Sequence, residues 1–452
     1  MSTKAQAASR LASIDVLRGV GVVLMVQLHT SHGWIAPDAR SGAAWAASQF
    51  WGGLAAPIFL MLAGVSIGLQ WAGSVARGTQ PSLGRALRRA LQLVVLGYVL
   101  RLQMWFIDAG GWARTEAYLA QVLLAAAYAL TLVTLAQAQW RPLLRAACYG
   151  AAAASFAAGL WQVAAHAPDR LAGLLRVDVL QCIGGSLALV IAFAAACGSR
   201  VTGAAGQRRR PIISGRVARI AREPFGYALV SCAIAFITIW TRSWVPGPLP
   251  APIAAYLGQW QPEPGKSIIG LFPLFPWAAY TFAGTAFGLH WGRQARDVLL
   301  RRLLLLGLVA LLLALSTRES GTLAHLLIDP FPALTQPLRV MQRVAWVLAL
   351  GGVCAACTAW LPAIVAPLDV LGRASLLIYW VHLEFAFGAA SSAFSKSLGI
   401  TPWAIGSAGL VIAMWLVAQI RLGLGASRQR EADGSPDEPS VPRERTRSAG
   451  AE

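Results

Sequence analysis

Apolar stretches of about 20 residues, the length a helix needs to cross a bilayer's hydrocarbon layer, recur along almost the whole of this 452-residue chain. Hydropathy predicts them at 14–33, 49–71, 86–106, 117–137, 143–165, 177–198, 224–243, 271–291, 298–316, 340–361, 371–393 and 402–424. In lipid a spanning segment must satisfy its own backbone N–H and C=O groups, so runs of this length fold as helices. Composition bears on the point once. The chain is 57% hydrophobic and 13% charged, where a soluble domain carries about 25% charged residues. No soluble core of this length buries that much apolar surface. A cytosolic enzyme, a disordered protein and a small secreted scaffold are therefore excluded. Eighteen Trp fit a protein with two membrane interfaces, where indoles concentrate. The expected fold class is an all-α, polytopic integral membrane protein of about twelve transmembrane helices, with ten as the lower bound.

Charge placement supplies the orientation. The formal net charge is +19, and 35 of the 38 basic residues are Arg. They lie in short clusters between apolar runs, which is the pattern of positive-inside topology rather than of a nucleic-acid face. With the N-terminus inside, the inner segments carry 27 basic residues and the outer ones 10, and Arg101 is left within a span. Both termini are thus expected in the cytoplasm. Losing two spans that form one hairpin would leave the rest of this pattern unchanged. The first apolar run is longer than a signal-peptide core and lacks a clear small-residue cleavage site, so it reads as an anchor. Residues 1–427 form the membrane domain, with an Arg-rich cytoplasmic loop at 199–223 and an outer loop rich in Pro and Trp at 244–270. Residues 428–452 read as a solvated, disordered cytoplasmic tail. The partners implied are the lipid bilayer and small molecules, with no nucleic acid.

Ionisable side chains inside a bilayer are costly, so each is a functional candidate. The first span has the most. Arg18 and His29 are eleven residues apart, which returns them to within about 20° of one helix face and separates them by about 16 Å along the axis. Asp15 lies one turn below Arg18 and can pair with it. A bland alternative is that Asp15 and Arg18 only flank the span and that His29 is interfacial. A basic anchor below a titratable imidazole also suits a substrate channel, because His exchanges protons near neutral pH. In the eleventh span Ser375 and His382 share a face, and His382 reads as either a catalytic residue or a hydrogen-bonded core residue. Asp178 and Gln181 open the sixth span, and Arg339 and Arg343 open the tenth. These four either line an outer acceptor pocket or end solvated helices. Arg101 is expected to snorkel or to pair with a carboxylate. The six Cys fall in apolar runs and suggest no disulfide. Cys354 and Cys357 have metal-like spacing, but no second pair or ligating His stands near them, so no metal is expected. Phosphate-binding loops, dinucleotide fingerprints, nucleophile elbows and zinc-protease motifs are all missing from the sequence.

Several segments resemble one family in order. They are Arg10-Leu-Ala-Ser-Ile-Asp15-Val-Leu-Arg18-Gly19 with Met25 and His29; Pro57-Ile-Phe-Leu-Met-Leu-Ala-Gly64; Asp178-Val-Leu-Gln181-Cys-Ile-Gly184; Phe272-Pro-Leu-Phe-Pro276-Trp277 with Gly284 and Gly288; and Leu371-Gly-Arg373-Ala-Ser375-Leu-Leu-Ile-Tyr379 with His382. Together they are similar to bacterial relatives of the lysosomal heparan-α-glucosaminide N-acetyltransferase, within a superfamily of multi-pass acyltransferases. Arg18 and His29 match the superfamily's Arg-x10-His spacing. Two departures stand out. Cys182 replaces the family's usual Arg, and the lysosomal enzyme's catalytic His lies beyond the first span. Both His29 and His32 lie near that boundary; the spacing favours His29, with His32 beside the acceptor.

The resemblance implies acyl transfer from cytoplasmic acyl-CoA, most simply acetyl-CoA as co-substrate, to a glycan or glycolipid hydroxyl or amine at the outer face. Arg18, Arg85, Arg88 and Arg89 would hold the CoA phosphates. Asp15, Arg18, His29 and His382 would form the catalytic group. His32, Asp178, Gln181, Arg339 and Arg343 would meet the acceptor. His29 would act as general base or carry the acyl group as an acyl-imidazole. The competing class is a transporter or exporter of a glycan or lipid-linked precursor, in which the same His and Arg would relay protons.

Overall fold

The computed structural model describes residues 12–79, 81–107, 115–136, 140–166, 176–197, 223–241, 251–258, 270–292, scattered positions between 305 and 312, and 332–432. These residues are helical, with no strand among them beyond two isolated bridge pairs. The helices are α1 (Ala12–Trp34), α2 (Gly42–Gly52), α3 (Ala55–Ala76), α4 (Leu83–Ile107), α5 (Thr115–Ala136), α6 (Pro142–His166) and α7 (Val179–Ala196). They continue as α8 (Pro224–Thr241), α9 (Ala251–Leu257), α10 (Leu274–Trp291), α11 (Thr335–Trp360), α12 (Pro362–Arg373), α13 (Ser375–Phe387) and α14 (Ile400–Ala432).

Eleven of the twelve expected spans overlap one of these helices. The expected span 298–316 falls largely outside the described residues. By length and composition alone, seven described helical segments suffice to cross a membrane, or eight if one bent pair counts as a span. Large apolar side chains such as Leu229, Trp240, Val353, Ile405, Ile412 and Leu416 point outward, as helices facing lipid require.

The bent pair corrects the sequence reading. Span 371–393 was expected to start at Leu371 as one helix. Instead α12 and α13 meet at 80°, with the break at Ala374. Asp369, Gly372, Arg373 and Ser375 stand at the break, but a span read as beginning at Leu371 leaves most of α12 in the connection before it, so hydropathy gives no angle between the two helices. Packing explains it. A Cβ on Gly372 would meet the Asp15 carbonyl, and one on Gly19 would meet the Leu368 carbonyl. Two glycines thus let α12 cross the lower part of α1 backbone to backbone before the chain turns upward as α13.

Small residues set the other close contacts, as in membrane helix pairs generally. A Cβ on Gly64 would meet the Thr281 carbonyl, on Gly68 the Thr285 carbonyl, on Gly284 the Met61 carbonyl and on Gly288 the Val65 carbonyl. These four contacts hold α3 and α10 side by side, running in the same direction. Gly184 meets α4 at Ala90, and Gly97 meets Gln181, so α4 and α7 run in opposite directions.

Two apolar clusters result, and α1 separates them. Val16, Leu17 and Met25 face a large cluster with α3, α7, α8, α10 and α11. Val22, Val26 and Trp34 face a second with α12, α13 and α14. A helix packed on both sides holds its polar residues against protein rather than lipid, and that is what places Asp15, Arg18 and His29 inside the molecule.

Candidate active site

Asp15 and Arg18 form an ion pair at 2.7 Å, with side-chain exposures of 5% and 24%. Three turns higher on α1, His29 meets His382 of α13. The His29 Nδ1 to His382 Nε2 distance is 2.7 Å. The two rings are nearly coplanar at 6°, with centroids 5.0 Å apart. That separation is a hydrogen bond plus two ring radii, so the rings lie edge to edge and share a proton rather than stack by their faces. His382 is fully buried, and its Nδ1 lies 2.7 Å from the Ile378 carbonyl oxygen. Phe387 stands 5.7 Å from the His29 ring and Tyr379 6.0 Å from the His382 ring. The pair forms because α1 and α13 run in the same direction and pack closely, with Gly33 against the Ala386 carbonyl.

A cavity of about 1140 Å³ opens below this pair, between α1, α3, α4, α7, α13 and α14. Arg18, Arg77, Arg85, Arg89, Arg373 and Arg421 contribute to its wall. Arg18 is paired with Asp15, and Arg373 lies 3.6 Å from Asp369. The remaining lining is a mostly apolar shaft with a few hydroxyls, including Ser66, Ser74 and Ser82. It extends to Tyr379 and Trp380, one turn of α13 below His382. Neither His29 nor His382 lines the cavity; Tyr379 stands between the cavity and the pair.

The sequence-derived candidates divide accordingly. Arg18, Arg85 and Arg89 reach the cavity, and the exposed Arg88 is not among its lining residues. His32 is exposed and contacts Gln49 Oε1 of α2 at 2.8 Å, off the His29–His382 pair. Asp178 is the N-cap of α7 in a capping box with Gln181, and it also lies 3.6 Å from Arg101. These two residues therefore start a helix, and Asp178, like Arg101, lies within electrostatic reach of Tyr379. Arg339 is exposed on the first turn of α11, and Arg343, one turn on, faces Tyr280.

Sequence reasoning missed Arg77, Arg373 and Arg421 as cavity residues. Their place in inner segments was the available signal, but the helices that gather them are far apart in the chain. It also missed the partner of Glu384. That carboxylate accepts from the Gln103 side-chain amide of α4, whose oxygen takes the Tyr128 hydroxyl of α5 at 3.2 Å.

A family model described as heparan-alpha-glucosaminide N-acetyltransferase, catalytic, matches residues 10–171, and it bears out the resemblance read from the sequence motifs. The match takes in Asp15, Arg18, His29, His32, Arg85, Arg88 and Arg89, and it stops short of Asp178 and His382. No curated protein matches the chain.

Proposed function

We propose, for a chain similar over residues 10–171 to the heparan-α-glucosaminide N-acetyltransferase catalytic family, that this protein is a membrane-bound acyltransferase. It takes an acyl group, most simply acetyl, from cytoplasmic acyl-CoA and passes it to a hydroxyl or amine of a glycan or glycolipid at the outer face. One observation carries the reading: an Arg-lined cavity that ends at Tyr379, one turn below the His29–His382 pair. Guanidinium groups suit phosphates, which they bind with charge-assisted hydrogen bonds. The apolar shaft suits the pantetheine arm. Arg18, Arg85 and Arg89 are the natural holders of the CoA phosphates, now joined by Arg77, Arg373 and Arg421. His29 acts as the base toward the acceptor.

The topology proposed with this function has twelve spans, both termini in the cytoplasm of a bacterial inner membrane, and the tail 428–452 in solvent. The helix directions support it. α1 and α13 run the same way, α3 and α10 run the same way, and α4 opposes α7. Strict alternation of the twelve spans requires each of these relations. It also sets the cavity's Arg residues at the inner face and the His pair toward the outer one.

The test is purified protein in nanodiscs with radiolabelled acetyl-CoA, followed for CoA release and for label entering an outer-face glycan. Comparing the acetylated glycans of wild-type and deletion cells by mass spectrometry identifies the acceptor. A protein that neither binds acetyl-CoA nor acetylates anything, yet whose loss blocks export of a glycan precursor, would return the chain to the transporter class. The half-buried Glu384–Gln103–Tyr128 group would then be its proton route.

A further inference from the structure

The two nitrogens of His29 are not equivalent, and the structure assigns one of them to chemistry. We propose that His382 is a positioning residue that keeps the proton of His29 on Nδ1. This leaves Nε2 bare as the atom that accepts a proton from the acyl acceptor. The inference rests on the transferase reading above and deepens it.

The argument follows the protons from the inside of α13 outward. The Ile378 carbonyl oxygen has only lone pairs, so the His382 Nδ1 that approaches it at 2.7 Å must be an N–H. A neutral imidazole carries one proton, so His382 Nε2 is bare and accepts. Its partner at 2.7 Å, His29 Nδ1, must then donate. The second nitrogen of the neutral His29 ring, Nε2, has no proton left. Flipping the His382 ring would place carbon atoms at both 2.7 Å contacts, so a single ring orientation serves both. The ring cannot easily leave it, since His382 is fully buried between α1 and α13. A backbone carbonyl thus sets the state of one imidazole, and that imidazole sets the next. An orienting carboxylate does the same for the histidine of a Ser-His-Asp site.

The resulting step balances. The O–H or N–H bond of the acceptor breaks and its proton passes to His29 Nε2. The freed electron pair forms a bond to the thioester carbonyl carbon. The carbon–sulfur bond breaks, CoA leaves as the thiolate, and the thiolate takes the proton back from Nε2. Throughout, His29 Nδ1–H stays bonded to His382 Nε2, so the ring keeps its orientation while its charge rises and falls.

The experiment uses the full-length protein in nanodiscs with ¹⁵N-labelled histidine; the chain has six. Comparison with His29→Gln assigns the His29 signals. In the wild type, His29 should show a protonated Nδ1 and an unprotonated Nε2. His382→Phe keeps a ring but removes the acceptor, so His29 should shift toward the Nε2–H form. Its kcat should fall by about tenfold or more, up to the roughly 10⁴-fold lost when the orienting carboxylate of a Ser-His-Asp site is replaced, while the acetyl-CoA KM stays unchanged. His382→Gln places an oxygen near the lost Nε2 and should restore both the Nδ1–H form and most of the turnover. A purely structural role for His382 would not make the tautomer follow the substituted group. Finding the proton on Nε2 in the wild type overturns the inference, even if His382→Phe does not fold. An unchanged kcat in a folded His382→Phe overturns it as well. A wild-type protein with the expected tautomer but no acetyl transfer would instead refute the transferase reading.

Discussion

Arg88 and Arg89 are adjacent, carry the same charge and lie at the same end of α4, yet only Arg89 lines the cavity. Both are exposed, and one residue along a helix is a rotation of about 100°, enough to take a side chain off the wall of the open cavity. Replacing each by Ala therefore separates a phosphate contact from a general field of positive charge. A hydrogen bond between a charged pair contributes about 1.5–3 kcal/mol, and each 1.4 kcal/mol is about a factor of ten in affinity. Arg89→Ala should weaken acetyl-CoA binding by about ten- to a hundredfold, and Arg88→Ala by less than about twofold, the residue of a screened surface charge. Arg18→Ala is a poorer probe, because it also strips the buried Asp15 of a partner at 2.7 Å and so mixes affinity with stability. The assay is equilibrium binding of acetyl-CoA and of its 3′-dephospho form to protein in nanodiscs, repeated at two salt concentrations. Equal losses from Arg88→Ala and Arg89→Ala would mean that the cavity wall does not select the anion. No loss from either would remove the cavity from the donor site.

The other perturbations follow the same geometry. His29→Gln should lower turnover by about 10²–10⁴-fold, the range of a general base, with acetyl-CoA binding retained; His32→Ala should be mild, since His32 is exposed and bonded to Gln49. Acetyl transfer by matched amounts of folded variants decides between them, and an inactive His32→Ala beside an active His29→Gln would move the base three residues along. Gly284→Ala puts a methyl group onto the Met61 carbonyl, so it should cost about 1–3 kcal/mol as overpacking, read as a lower Tm with and without acetyl-CoA. An unchanged Tm would mean that α3 and α10 can part without loss. Single cysteines introduced at Gly206 and Gln259 should label from opposite sides of the membrane; labelling from one side would refute the span count between them.

The helices were legible in the sequence because apolar runs of membrane length have one backbone solution. Their contacts were legible only in part. Gly64, Gly284 and Gly288 were visible as recurrent motif positions, but which carbonyl each approaches depends on pairing α3 with α10, some 200 residues apart. Arg101 was expected to snorkel or to pair with a carboxylate, and it lies 3.6 Å from Asp178. The partner could not be named in advance, because it sits at the start of α7. Asp178 and Gln181 also form a capping box, whose D-x-x-Q spacing was readable as a helix start. The break at Ala374 was invisible because the bend comes from backbone contact between α12 and α1, which the sequence does not show.

That break is what allows one short stretch of chain to serve both ends of the proposed reaction. In a straight helix Arg373 and His382 would be separated by nine residues and turned to opposite faces, since nine steps of 100° leave them about 180° apart. With the chain bent by 80° between them, Arg373 lies at the cavity wall and α13 rises alongside α1. Tyr379 then closes the top of the shaft, and His382 reaches His29 one turn beyond it. The glycines at the crossing set the height of this arrangement, because Gly372 rests on the Asp15 carbonyl, three residues from Arg18. The α1 residue that pairs with Arg18 therefore also supports the bend that brings His382 to His29. The cationic cavity and the imidazole pair are thus joined through the lower half of α1.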